Sequence, residues 1–70
     1  MLELKLVDRE FIALCDLLKK MSLCESGGHA KSVVADGLVK VDGMVELRKR
    51  CKIRSGQIVE FNGERIKVIE

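Results

Sequence analysis

At 70 residues the chain makes one domain that can bury only about 60% of the surface of its unfolded form, which excludes a large catalytic cavity beside a full core. Charged residues make up 34% of it and the net charge is +2, so the small basic excess matters only through its distribution. Its three cysteines cannot all pair within one chain and none shows C-x-x-C spacing; they read as reduced cytosolic thiols rather than as a zinc or redox motif.

Leu2, Leu4 and Leu6 alternate with Glu3 and Lys5, the period of a strand with one buried face. This N-terminus lacks the apolar core and cleavage site of a signal peptide and the length of a membrane span, so the expected compartment is the cytoplasm. Asp8 is placed to cap a helix over residues 9–20, with Phe11, Leu14, Cys15, Leu18 and Met21 as its buried stripe and Asp16, Lys19 and Lys20 facing away. Asp8 and Glu10 at the start and the lysines at the end suit the helix dipole. A connector over residues 21–25 leads to a second helix over residues 27–36. There Ser26 is the N-cap, its hydroxyl placed to accept an amide near Gly28 and His29, and Ala30, Val33 and Val34 form the apolar stripe. Gly37 ends that helix, because only glycine enters the left-handed region without strain. Neither helix is long enough to be stable alone, so the two must pack together or onto a sheet.

Residues 38–41 form a short strand, Asp42-Gly43 supplies the positive φ angles of a hairpin turn, and residues 44–47 pair back. Arg48, Lys49, Arg50, Lys52 and Arg54 follow between Leu47 and Gly56 with no acid among them. So dense a run repels itself, and an anionic partner relieves that repulsion. After a turn at Arg54-Ser55-Gly56-Gln57, residues 58–61 and 64–69 form a second hairpin about Asn62-Gly63. A two-residue loop there sets Val59 opposite Ile66 and Glu60 opposite Arg65.

The succession of two helices, Gly37-x-Val39-x-Val41-x-Gly43 and Ile53-Arg54-Ser55-Gly56-Gln57-Ile58 resembles the RNA-binding domain named after the fourth protein of the small ribosomal subunit, also called the αL motif. That domain recurs in pseudouridine synthases, in a heat-shock protein of stalled ribosomes and at the C-terminus of tyrosyl-tRNA synthetases. The likeness covers Phe11 to Phe61, and small stand-alone bacterial members look nearest, because nothing is appended here for catalysis. It implies an α+β fold, two short packed helices on a small, mostly antiparallel sheet, with RNA gripped by the start of the second helix and the hairpin beyond. Lys31 matches the basic or polar positions that the family has in the first turn of that helix. Gly37, Val39, Val41 and Gly43 match its framework, with Asp42 in place of a frequent asparagine. The chain departs at Gly27 and Gly28, where many members carry an arginine within Ser-Arg-Ser ahead of the alanine that is Ala30 here, and at Arg9-Glu10-Phe11, where Arg-Leu-Asp is usual.

These readings combine into an expectation of a single RNA-binding domain spanning residues 1–70, monomeric and without catalysis, cofactor or metal. Ser26, Gly27, Gly28, His29 and Lys31 would hold phosphates at a helix start, where unpaired amides and the positive dipole end both point. The bland reading, that the glycines only permit a close turn, stands beside it. Lys40 and the cations Arg48, Lys49, Arg50, Lys52 and Arg54 would form an adjacent electrostatic strip, with a salt slope of about −4.5 if all five of the run met duplex phosphates. There is no tryptophan or tyrosine, and Phe11 and Phe61 fall on predicted core faces. Recognition by shape and backbone of a structured ribosomal or transfer RNA is therefore expected, rather than base stacking. Cys24 and His29 lack a third group to orient them as a catalytic pair. The alternative is a protein-interaction module, docking an acidic partner or adding a strand at the sheet edge, in association with a ribosomal or other protein.

Overall fold

The two Asx-Gly pairs set the sheet. In the computed structural model, which describes residues Met1–Glu70, φ is 52° and 85° at Asp42 and Gly43 and 52° and 81° at Asn62 and Gly63. Two consecutive left-handed residues make the turn whose twist matches that of a hairpin. The first turn joins β3 (Val39–Val41) to β4 (Met44–Val45), and the second joins β6 (Ile58–Phe61) to β7 (Glu64–Ile69). Val59 pairs with Ile66 and Glu60 with Arg65, the register expected from the loop length. β6 also pairs antiparallel with β3, while β1 (Leu2–Lys5) adds to β7 in parallel, giving the order β1-β7-β6-β3-β4.

Both helices lie on one face of this sheet. Leu17, Leu18, Ala30 and Val34 join Val39, Val59, Ile66 and Val68 in one cluster, each of them without solvent exposure. The opposite face carries Lys40, Glu60, Arg65 and Lys67 and is solvated. Helix α2 (Gly27–Ala35) has Ser26 as its N-cap and closes on Asp36. Gly37 then turns the chain at φ 75°, with the Gly37 amide donating to the Val34 carbonyl at 3.1 Å and the Leu38 amide to that of Val33 at 3.1 Å. This pair of bonds is the Schellman arrangement that satisfies the last carbonyls of a helix.

The first helix is shorter than its periodicity predicts. Helix α1 runs Leu14–Lys20, with Ala13 at its cap position, and Asp8 does not cap it but sits at φ 56° in the turn before. The residues before Leu14 are drawn into a strand: β2 (Ile12–Ala13) pairs antiparallel with β5 (Lys52–Ile53), Ile12 opposite Ile53. The Leu14 amide donates to the Cys51 carbonyl at 2.9 Å and the Cys15 amide to the Lys49 carbonyl at 3.1 Å. Backbone carbonyls of the basic run thus take two of the donors that a helix start leaves open, the part expected of Asp8. Phe11 consequently leaves the buried stripe and is 36% exposed. Leu38 lies outside β3, and β4 stops at Val45, although the Glu46 amide still reaches the Val39 carbonyl at 3.0 Å. Nor is the basic run wholly superficial, since Ile53 within it is fully buried. No helix is long and apolar enough to cross a membrane.

Ile53→Ala is expected to cost about 2–5 kcal/mol by leaving a cavity between β2 and the helices. A urea or thermal melt should show a large loss, whereas Val7→Ala, at a position 65% exposed, should change little.

Candidate nucleic-acid interface

The cations between residues 48 and 54 stand on a loop tethered at both ends: its carbonyls hold the start of α1, and its last residues enter β5. They are not equivalent. Glu46, one residue ahead of Leu47, clasps Arg48 with Nε to Oε2 at 3.0 Å and Nη2 to Oε1 at 3.0 Å, and its Oε2 also accepts the Arg48 amide at 3.0 Å. The Arg48 hydrogen bonds hold the Glu46 carboxyl down to about 2, and in return Glu46 raises the Arg48 pKa. The Cys51 thiol completes the knot, donating to Glu46 Oε1 at 3.5 Å and accepting from Arg48 Nη2 at 3.6 Å. Burial, and then the Glu46 carboxylate, push that thiol up, so it stays protonated.

Arg54 lies 3.8 Å from Glu10 through Nη1 and Oε2, with both side chains exposed. Lys49, Arg50 and Lys52 have no carboxylate within 4.0 Å. Arg48, Arg50, Cys51, Lys52 and Arg54 line one open hollow. The Arg54 amide donates to Gln57 Oε1 at 2.8 Å, Gln57 Nε2 donates to Asp42 Oδ2 at 3.2 Å, and Asp42 Oδ1 accepts the Ile58 amide at 3.0 Å. Asp42 is therefore a strut between the first hairpin turn and the end of the strip.

At the start of α2 the Ser26 hydroxyl accepts the His29 amide at 3.1 Å, and the Ser26 carbonyl accepts the Ala30 amide at 3.0 Å. The amides of Gly27 and Gly28 have no protein acceptor. Neither residue has a positive φ, and a Cβ would meet nothing within 4 Å at Gly27 and only Ser26 Oγ at 3.9 Å at Gly28. The turn does not require these glycines, although each weakens the helix relative to alanine. His29 folds back, its Nδ1 accepting the Glu25 amide at 3.3 Å, which leaves Nε2 to donate. Lys31 is exposed on the next residue but one.

The expected contacts thus fall into three groups. Ser26, Gly27, Gly28, His29 and Lys31 share the start of α2, and Arg48, Lys49, Arg50, Lys52 and Arg54 share the tethered loop and β5. No hydrogen bond or ion pair joins these two groups. Lys40 stands apart from both, between Val45 and Glu60 on the solvated face of the sheet. What the run of cations concealed was Glu46: spaced two residues apart, Glu46 and Arg48 reach one another when the chain is extended, a signal present in the sequence.

A family profile described as the S4 domain matches residues 4–69. YbcJ of Escherichia coli (strain K12), whose name proposes RNA binding, is 55% identical over 58 residues, 83% of this chain and 83% of that protein. An uncharacterized YbcJ of Shigella flexneri matches with the same identity and coverage. The solution structure of YbcJ from E. coli, described as revealing an αL motif involved in RNA-binding, aligns with a TM-score of 0.77 and 48% identity over 100% of this chain and 89% of that one.

The Glu46 carboxyl titrates below its ordinary value of 4.5, at about 2. Its lowered folded-state pKa gives stability that is complete above the unfolded value and lost as pH falls toward the folded one. Glu46→Gln should therefore melt roughly 2–5 °C below the wild type at neutral pH. The gap should close between pH 4.5 and about 2, as read by thermal melts across that range.

Proposed function

This chain belongs to the S4 domain family, and on that premise we propose that it is a non-catalytic protein that grips the phosphate backbone of structured RNA, ribosomal or transfer, in the cytoplasm. The observation that carries this is the tethered loop: Lys49, Arg50 and Lys52 have no acid partner, yet the Lys49 carbonyl is hydrogen-bonded to the start of α1, Lys52 is paired in β5, and Arg50 lies between these two anchors. A cation held in place on a rigid surface loses little freedom when it meets a phosphate, so more of its attraction is kept as affinity. Arg48 braces the loop through Glu46, and Arg54, whose ion pair with Glu10 is exposed, can exchange that carboxylate for phosphate.

The start of α2 supplies the second grip. The open amides of Gly27 and Gly28 and the helix dipole favour an anion there, and two bare glycines let a phosphate come close to the backbone. His29 Nε2 and Lys31 add donors on the same turn, and Lys40 reaches only an RNA that also crosses the outer face of the sheet. Residues 1–70 act as one unit in this reading, because the strip and the helix start are both pinned to the same pair of helices. The RNA-binding αL motif described for YbcJ, alike over the whole chain, supports the same conclusion.

A second reading has its own observation. β4 is an edge strand, and Met44, Val45 and Leu47 on and after it are 75%, 52% and 60% exposed. Such an edge invites strand addition by a protein partner. Retention of a partner after ribonuclease treatment would favour it, and loss would favour RNA.

The deciding experiment is a titration against a structured ribosomal or transfer RNA mixture and against duplex DNA at several salt concentrations. RNA should be preferred, with a salt slope of about −3, as about −0.9 for each of three to four contacts implies. Changing Lys49 and Arg50 together to alanine should weaken binding alike across RNA sequences and flatten that slope by about 2. Gly27→Asp should act with opposite signs on stability and binding. A carboxylate in the first turn of α2 should stabilise the fold by about 0.3–1 kcal/mol through the dipole while repelling phosphate and lowering RNA affinity. Unchanged affinity would remove the helix start from the interface.

A further inference from the structure

The side chain that neither the core nor the phosphate grip accounts for is Phe11. It is 36% exposed, whereas Phe61, the other aromatic residue of the chain, packs against the core. Continuing the pairing of Ile12 with Ile53 by one residue sets Phe11 opposite Arg54, with Lys52 also exposed on β5. Lys52 Nζ stands 5.0 Å and Arg54 Cζ 5.6 Å from the centre of the Phe11 ring, within the reach of a cation–π attraction. Both cations also line the open hollow shared with Arg48, Arg50 and Cys51. A flat ring with two cations close to it, beside the cationic loop, meets the needs of an unpaired base, which seeks a π face for itself and positive charge for its phosphates.

We propose that Phe11, Lys52 and Arg54 form a stacking site for one unpaired nucleotide, the base resting on the ring while the flanking phosphates draw the two cations away from it. The expectation that both phenylalanines serve the core is corrected accordingly. This inference rests on the RNA reading above and adds the class of target, a stem interrupted by a bulge or ended by an overhang rather than a perfect duplex. Before RNA arrives the cations shield the ring from water, and Glu10 at 3.8 Å keeps Arg54 beside it. An exposed ion pair of that kind yields easily to a phosphate.

The test uses two RNA hairpins identical except for one unpaired adenosine in the stem. The wild type should bind the bulged RNA roughly five- to tenfold more tightly, in line with the worth of one stacked base. Phe11→Leu should equalise the two while keeping the affinity for the perfect stem and its salt slope. Phe11→Trp should keep the preference, and because the chain has no other tryptophan, its fluorescence should be quenched by the bulged RNA and not by the perfect stem. Equal wild-type binding to both hairpins, or an equal loss for both in Phe11→Leu, would overturn the stacking site and leave the phosphate grip standing. Should Phe11→Leu fail to fold, equal quenching of Phe11→Trp by the two RNAs overturns it instead. Failure of the wild type to bind either hairpin at low salt overturns the RNA reading itself.

Discussion

Two backbone hydrogen bonds, from the amides of Leu14 and Cys15 to the carbonyls of Cys51 and Lys49, organise the candidate interface of this small domain. A helix start must find acceptors for its first amides, and here they come from the segment richest in positive charge. The bonds therefore serve two ends. They let α1 begin without a side-chain cap, and they fix a loop that would otherwise be mobile and self-repelling. The pairing of Ile12 with Ile53 beneath them seals the joint with buried apolar surface. A cationic segment becomes a shaped surface because its backbone is committed to the core while its side chains are not.

On that surface charge is graded. Arg48 is locked by a two-pronged clasp to Glu46, whose carboxyl is held ionised far below the ordinary range. Arg54 is loosely attached to Glu10, and Lys49, Arg50 and Lys52 are unpaired. The locked arginine ties the loop to Glu46, and the other cations have no carboxylate beside them or only an exposed one. The start of α2 offers a contrasting kind of site, backbone amides with little side chain about them, in which the Gly27 and Gly28 positions trade helix stability for close approach. Where many members of the family place an arginine, this chain has open backbone amides, and its side-chain charge is concentrated on the loop.

Much of the fold was legible in the sequence because it depends on residues adjacent along the chain. The Asp42-Gly43 and Asn62-Gly63 turns, the Ser26 cap and the Gly37 stop are local conformational demands, and the register of Val59 with Ile66 follows from the turn length alone. The candidate residues at the start of α2 and along the basic run were legible for the same reason, each being a cluster in sequence. The helical spacing of Phe11, Leu14, Cys15 and Leu18 was real, but it did not carry the helix back to Arg9. The spacing says which side chains share a face if the segment is helical, not where a distant strand interrupts it.

By itself, then, the sequence determined the turns, caps, strand alternation and local concentration of charge, all set by the dihedral preferences and polarity of neighbouring residues. Only the tertiary structure decided that Ile12 pairs with Ile53, that β1 joins β7 in parallel, that Arg48 is spent on Glu46 and that Phe11 is exposed beside two cations. Most of these outcomes depend on segments far apart in the chain, whose meeting is governed by burial of one shared core rather than by local preference. Glu46 and Arg48 are near neighbours, but their clasp needed the extended backbone that follows once β4 and β5 are placed.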